Sequence, residues 1–154
     1  MRAVTVSEPG GPDVLGWGVT NDAHHPTTPR PDGEGARECM RRALEDSGLE
    51  PADIGYLNAH GTSTKLGDAA EALAIRTLFG ESTPPVSSTK AVTGHMLGAS
   101  GVVESAVSIH ALRTGLLPPT HNLDDPDPDC DLDHLRKTAR SAQAEHVMSN
   151  SFGF

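Results

Sequence analysis

Apolar residues recur at spacings of three and four between Glu34 and Ser47, where Ala36, Met40, Ala43 and Leu44 share one stripe. That period predicts a helix, with Gly48 as its stop. Upstream, Ala3–Val6 and Val14–Val19 read as short extended runs flanking a turn at Pro9-Gly10-Gly11-Pro12. Residues 22–33 hold Pro26, Pro29, Pro31 and Gly33 and predict a loop. Downstream, Pro51 and Asp53 lead into a strand, Ile54–Ala59. Asp68-Ala69-Ala70-Glu71 has the form of a capping box. It predicts a helix from Asp68 to Phe79, stopped by Gly80. A short strand follows Pro84-Pro85, and Gly98–Thr114 reads as a helix ended by Gly115. Residues 118–133 are rich in proline and aspartate and read as irregular, and His146–Ser151 reads as a last strand. Strands alternating with helices predict an α/β layered domain. There is no internal repeat.

Composition narrows the function classes. The length of 154 residues suits one domain. Only Trp17, Tyr56, Phe79, Phe152 and Phe154 are aromatic, so the core must be built from small aliphatic residues. Gly98 and Gly101 each cost a helix about 1 kcal/mol against alanine, which predicts an interior helix with close backbone neighbours. Twelve Lys and Arg stand against 21 Asp and Glu, a formal charge of −9. That balance argues against nucleic acid and anionic membrane as partners. No apolar run is long enough to span a bilayer, and Met1–Glu8 lacks the apolar core of a signal peptide. Two cysteines, Cys39 and Cys130, make no disulfide framework. The expectation is a cytoplasmic protein.

Two histidines stand out. His60 lies in Asn58-Ala59-His60-Gly61-Thr62-Ser63-Thr64, and His95 in Ser88-Thr89-Lys90-Ala91-Val92-Thr93-Gly94-His95. Each follows a strand in a turn of small residues and precedes a helix. Ligands of open α/β sheets bind at such strand ends. Two imidazoles meeting in one pocket can stabilise an oxygen that gains negative charge. The same histidines would equally serve as loop caps bonding backbone groups, and the pattern alone leaves both open.

These two motifs, with Gly98-Ala99-Ser100-Gly101 and Asn150-Ser151-Phe152-Gly153-Phe154, resemble the C-terminal half of β-ketoacyl-acyl carrier protein synthases, nearest the synthase II type. The likeness runs from about Gly16 to Phe154. It implies a thiolase-like α/β fold, C-terminal half only, with a layered sheet and a buried helix. It implies a decarboxylative Claisen condensation in fatty acid or polyketide elongation. His60 and His95 match the histidine pair that holds the malonyl thioester carbonyl. Lys90 matches the motif lysine, paired with Glu104, a pair expected to hold His95. Asp68 and Glu71 are expected in a polar network behind His60. Thr62 and Thr64 match threonines that bond the phosphopantetheine arm, and Phe154 matches the gating phenylalanine. The resemblance implies no cofactor beyond the phosphopantetheine carried by acyl carrier protein, which it implies as partner, together with a homodimer or an N-terminal synthase half. The Gly98–Thr114 helix is then expected to bear a face meant for that other half.

The family's nucleophilic cysteine belongs to that preceding half. Cys39 falls inside a predicted helix and reads as a small buried hydrophobe. Cys130 sits among Asp127, Asp129, Asp131 and Asp133, which disfavour its thiolate. The family's last motif is expected to continue past Phe154. Residues 1–15 do not resemble the synthases; Met1–Leu15 is similar instead to the opening of quinone oxidoreductases, with no dinucleotide-binding loop after it. The division expected is therefore a non-family segment, 1–15, and a synthase C-terminal domain, 16–154. The alternative is a non-catalytic remnant or interaction module that keeps the half-fold. His24, His25, His121 and His134 lack metal-site spacing, and the aspartates of 124–133 are broken by Pro126 and Pro128, so no metal is expected.

Overall fold

The computed structural model describes residues 1–7 and 13–153. The Pro9–Pro12 turn and Phe154 lie outside the described residues. In chain order the elements are β1 (Arg2–Ser7), β2 (Asp13–Val19), α1 (Glu34–Ser47), β3 (Ile54–Asn58), α2 (Lys65–Phe79), β4 (Val86–Ser87), α3 (Lys90–Thr93), α4 (Ser100–Thr114), β5 (Leu116–Leu117), β6 (Arg140–Ser141) and β7 (His146–Ser151).

Five strands form one mixed sheet in the order β2-β1-β7-β3-β4. β1 is antiparallel to both neighbours, and β7, β3 and β4 run parallel. One face packs against α1 and α2 through Ala36, Met40, Ala43, Leu44, Ala74 and Ile75. The other packs against α4, where Tyr56 and Val147 meet Ala111 and Leu112. This is the layered α/β domain that the alternation of elements predicts.

The α1 stripe is buried as its spacing requires, and Gly48 ends the helix at φ 68° with its N–H on the carbonyls of Glu45 and Leu44. Gly16 and Gly18 bring β2 onto α1. A Cβ at Gly18 would stand 2.1 Å from the Cys39 carbonyl oxygen, so only glycine fits there.

Two expectations need correction. α2 begins at Lys65 with Thr64 as N-cap, not at Asp68, and there is no capping box: Glu71 points into the core, away from its own helix end. α4 is covered on one side only. Ser100, Glu104, Ser108 and Ala111 are buried against the sheet, whereas Val102 is 74% exposed and Ala106 and His110 are exposed. A Cβ at Gly98 would meet nothing within 4 Å, so that glycine answers to no close approach. Among the described residues no helix is long and apolar enough to cross a membrane.

Candidate active site

The parallel strands β3 and β4 end side by side, and the chain turns over their ends at Ala59-His60-Gly61 and Ser88-Thr89. The first turn is tight. Gly61 sits at φ 38°, and a Cβ there would stand 2.7 Å from the Ser88 Cβ. Glu71, 5% exposed on the second turn of α2, organises it. One carboxylate oxygen accepts the His60 N–H and the other the Gly61 N–H, each at 2.9 Å. Asn150 of β7 donates its Nδ2 to the first oxygen at 3.0 Å. Burial pushes the Glu71 carboxyl up, and these three donors pull the other way.

His60 is 8% exposed. Burial pushes its imidazole down to about 3, with the Lys90 ammonium and then His95 adding to the effect. It is therefore neutral at physiological pH. Its Nδ1 is buried without a hydrogen-bond partner, and Phe152 lies against it with ring centroids 5.6 Å apart.

Lys90 opens α3 and forms a buried ion pair with Glu104 of α4, their side chains 6% and 1% exposed. Ser151 of β7 donates its hydroxyl to the other Glu104 oxygen at 3.2 Å. Beyond α3 the chain turns at Gly94 and presents His95. The Leu97 N–H donates to His95 Nδ1 at 3.1 Å, and the Ser100 hydroxyl lies 3.4 Å from the same nitrogen. Leu97 takes φ 51°, a left-handed conformation uncommon for leucine. With Nδ1 accepting, the His95 proton sits on Nε2. The rings of His60 and His95 meet edge to face, centroids 5.5 Å apart at 84°.

A cavity of about 650 Å³ opens beside them, lined by Gly61, Thr62, Asp68, Lys90, His95 and Cys130 among others. The Thr62 and Thr64 hydroxyls are 3.1 Å apart and exposed. Asp68 is half-buried on the cavity wall. Its burial raises the carboxyl, opposed by backbone N–H groups of Thr64, Ser63 and Thr62. Of the two carboxylates, Glu71 bonds the His60 turn.

The structure brings His60, His95, Lys90, Glu104 and Glu71 together. The polar groups on the His95 ring are Leu97 and Ser100, and the Lys90 charge acts on His60 instead. Sequence reasoning missed Leu97, Ser100, Asn150, Ser151 and Phe152 as supports; the last four lie in motifs whose residues it had noted. Phe154 lies outside the described residues.

Cys39 is fully buried with its Sγ–H on the Gly18 carbonyl at 3.2 Å, and burial pushes the thiol up to about 11. Burial first, and then Asp68 and Asp127, push Cys130 up as well. Both hold their protons at neutral pH. Among the described residues no three His, Cys, Asp or Glu side chains converge as metal ligands.

Residues 13–124 match the family model described as beta-ketoacyl synthase, C-terminal domain, and the chain belongs to that family. The 3-oxoacyl-acyl-carrier-protein synthase 2 of Coxiella burnetii is 48% identical over 144 residues, 92% of this chain and 35% of that protein. A beta-ketoacyl synthase from Burkholderia phymatum superposes with a TM-score of 0.86 at 43% identity, over 91% of this chain and 34% of its own. A type II polyketide ketosynthase solved in complex with its acyl-carrier protein has a TM-score of 0.78 at 34% identity, over 84% of this chain and 33% of its own. The fold is thus that of the thiolase-like ketosynthases. The chain spans about a third of the length of the relatives it matches.

Proposed function

We propose that this chain contributes the malonyl-binding half of a β-ketoacyl-acyl carrier protein synthase, acting in fatty acid or polyketide elongation. One observation carries this reading: two imidazoles stand 5.5 Å apart, His95 lining the cavity and the buried His60 held neutral. A malonyl thioester placed there would direct its carbonyl oxygen at the His95 Nε2–H and the His60 ring. Loss of carbon dioxide breaks the bond between the carboxylate carbon and the methylene. The electron pair moves into an enolate whose oxygen takes the negative charge. Hydrogen-bond donors aimed at that oxygen stabilise the transition state more than the ground state. The enolate then takes a proton from water, or its carbon attacks an acyl thioester supplied on a separate cysteine, breaking the C–S bond and releasing that cysteine's thiolate.

The Lys90–Glu104 pair positions α3 against α4 and raises the positive potential on His60. Thr62 on the cavity wall and Thr64, whose hydroxyl meets that of Thr62, would bond the amides of a phosphopantetheine arm. That arm arrives on acyl carrier protein with the substrate, and no resident cofactor is proposed. The synthase relatives' greater length supports a missing partner half; a homodimer is the other assembly proposed. The division of the chain into a segment 1–15 from outside the family and a synthase domain 16–154 is part of the same reading.

The test is carbon dioxide release from malonyl-acyl carrier protein by the chain, with His60→Ala and His95→Ala beside it. Release lost in both variants supports the assignment. Release that both variants leave unchanged overturns it. No release from the parent favours the second reading, a non-catalytic module that keeps the half-fold.

A further inference from the structure

We propose that β1 is an insert strand: the gap between β2 and β7 is a docking slot for one extended segment, and filling it sets the geometry of the site. β1 pairs with β2 along one edge and with β7 along the other, six residue pairs on each side. Yet it precedes Asp13, where the family match begins. Without it, β2 and β7 would each expose a row of unpaired N–H and C=O groups in the middle of the sheet, a cost no fold leaves standing. Relatives that superpose on most of this chain must therefore fill the same gap with a different segment. The slot accepts strands of unrelated sequence.

Its chemistry is legible. Across the strands, Gly18, Ala3 and Asn150 form one row under α1, and Gly16, Thr5 and Met148 the next. Ala3 and Thr5 are 0% exposed, and the Thr5 hydroxyl donates to the Gly16 carbonyl at 3.3 Å. Alternate positions of the occupant must be small, and none on the ladder can be proline. Two backbone groups on the outer edge of β2 already have side-chain partners. Asp46 accepts the Trp17 N–H at 3.0 Å and Arg42 donates to the Val19 carbonyl at 3.3 Å.

The slot connects to the site in one step. Ala3 lies opposite Asn150, whose amide holds Glu71 and thereby the His60 turn. Arg2 lies opposite Ser151, whose hydroxyl holds Glu104. β1 is thus a positioning strand that fixes β7 at the two residues on which both halves of the site rest. This inference concerns the sheet and stands whether or not the chain releases carbon dioxide.

The test starts from the full chain with a protease site placed between Gly10 and Gly11. After cleavage and separation in denaturant, the larger piece is returned to buffer alone, with a synthetic peptide of residues 1–7, or with the same peptide carrying Thr5→Pro. The readout is the ring resonances of His60 and His95 by NMR. The expected result is their loss in the larger piece alone, saturable recovery of the uncut positions with the parent peptide, and no recovery with the proline peptide. Native resonances without any peptide overturn the proposal. So do failure of excess parent peptide to restore resonances that the uncut chain shows, equal rescue by the proline peptide, and absence of dispersed resonances in the uncut chain.

Discussion

The Leu97 amide donates to His95 Nδ1 at 3.1 Å, from a leucine held at φ 51°. A local strain of this kind persists only where the surrounding fold demands it. Here the demand is on the tautomer: an accepting Nδ1 leaves Nε2 as the donor. Imidazole nitrogen-15 shifts of His95 at pH 8 are expected to show a protonated Nε2 and a bare Nδ1. Ser100→Ala is expected to leave that tautomer in place, because the backbone donor remains. The reverse tautomer in the parent, or an even mixture, would remove the oxyanion-binding role assigned to His95.

The Lys90–Glu104 pair is nearly sealed from solvent, so its members are worth little separately. Removing one partner of a buried pair strands a charge, at a cost of about 3–5 kcal/mol. Lys90→Met and Glu104→Gln are each expected to lower the unfolding free energy from urea titration by an amount of that order. The double variant is expected to lose clearly less than the sum, because it strands no charge. Additive losses in the double-mutant cycle would show that the two side chains do not act as a pair.

Much of this architecture can be read from local pattern, and what cannot shares one cause. α1 with its Gly48 stop, the C-terminal ends of α2 and α4, and β7 follow from periodicity and glycine placement. So do the His60 and His95 turns, which small residues announce. The misreadings arise where a distant contact outranks a local one. Asp68 and Glu71 have capping-box spacing, but Glu71 satisfies two backbone donors ten and eleven residues before it, a contact no local pattern encodes. β1 pairs with β7 from the far end of the chain, and no window holds both. The glycines of α4 suggested an interior helix, whereas its exposure depends on what covers it, and that is not written in its own sequence.

Acid should destabilise the fold through His60. In the unfolded chain this group titrates near 6.5, and burial lowers it to about 3 in the fold. Between those values the unfolded chain binds a proton that the folded chain refuses. The contribution of His60 is complete above the unfolded value and falls as pH drops, by at most about 1.4 kcal/mol per pH unit. Glu71 acts with the opposite sign, since its raised carboxyl loses stability as pH rises through the folded value. The exposed Asp32 and half-buried Glu38, lowered to about 2 by arginine partners, act with the same sign as His60. Comparing the parent with His60→Gln isolates the histidine. The variant's urea midpoint is expected to fall less between pH 7 and pH 4, by close to one proton's slope. Identical slopes would mean that His60 titrates normally and is not buried as described.

The uncovered side of α4 predicts self-association. Val102, Ala106 and His110 recur at four-residue spacing along it, so they present one face. Val102 is 74% exposed, and Leu97, in the turn just before the helix, is 79% exposed. The β2 residues Val14 and Trp17 add exposed apolar surface at 66% and 62%. Apolar surface left open in this way is the mark of an interface. Sedimentation velocity is expected to show a concentration-dependent shift from monomer to larger species. Val102→Lys should reduce that shift, since the charge must be desolvated on association. The same change should alter the thermal midpoint little, because an exposed helix position is usually worth within about 0.5 kcal/mol. A parent chain that stays monomeric at every concentration reached would show that the open face of α4 is simply a solvated surface. A Val102→Lys chain that associates as strongly as the parent would move the interface to another part of the molecule.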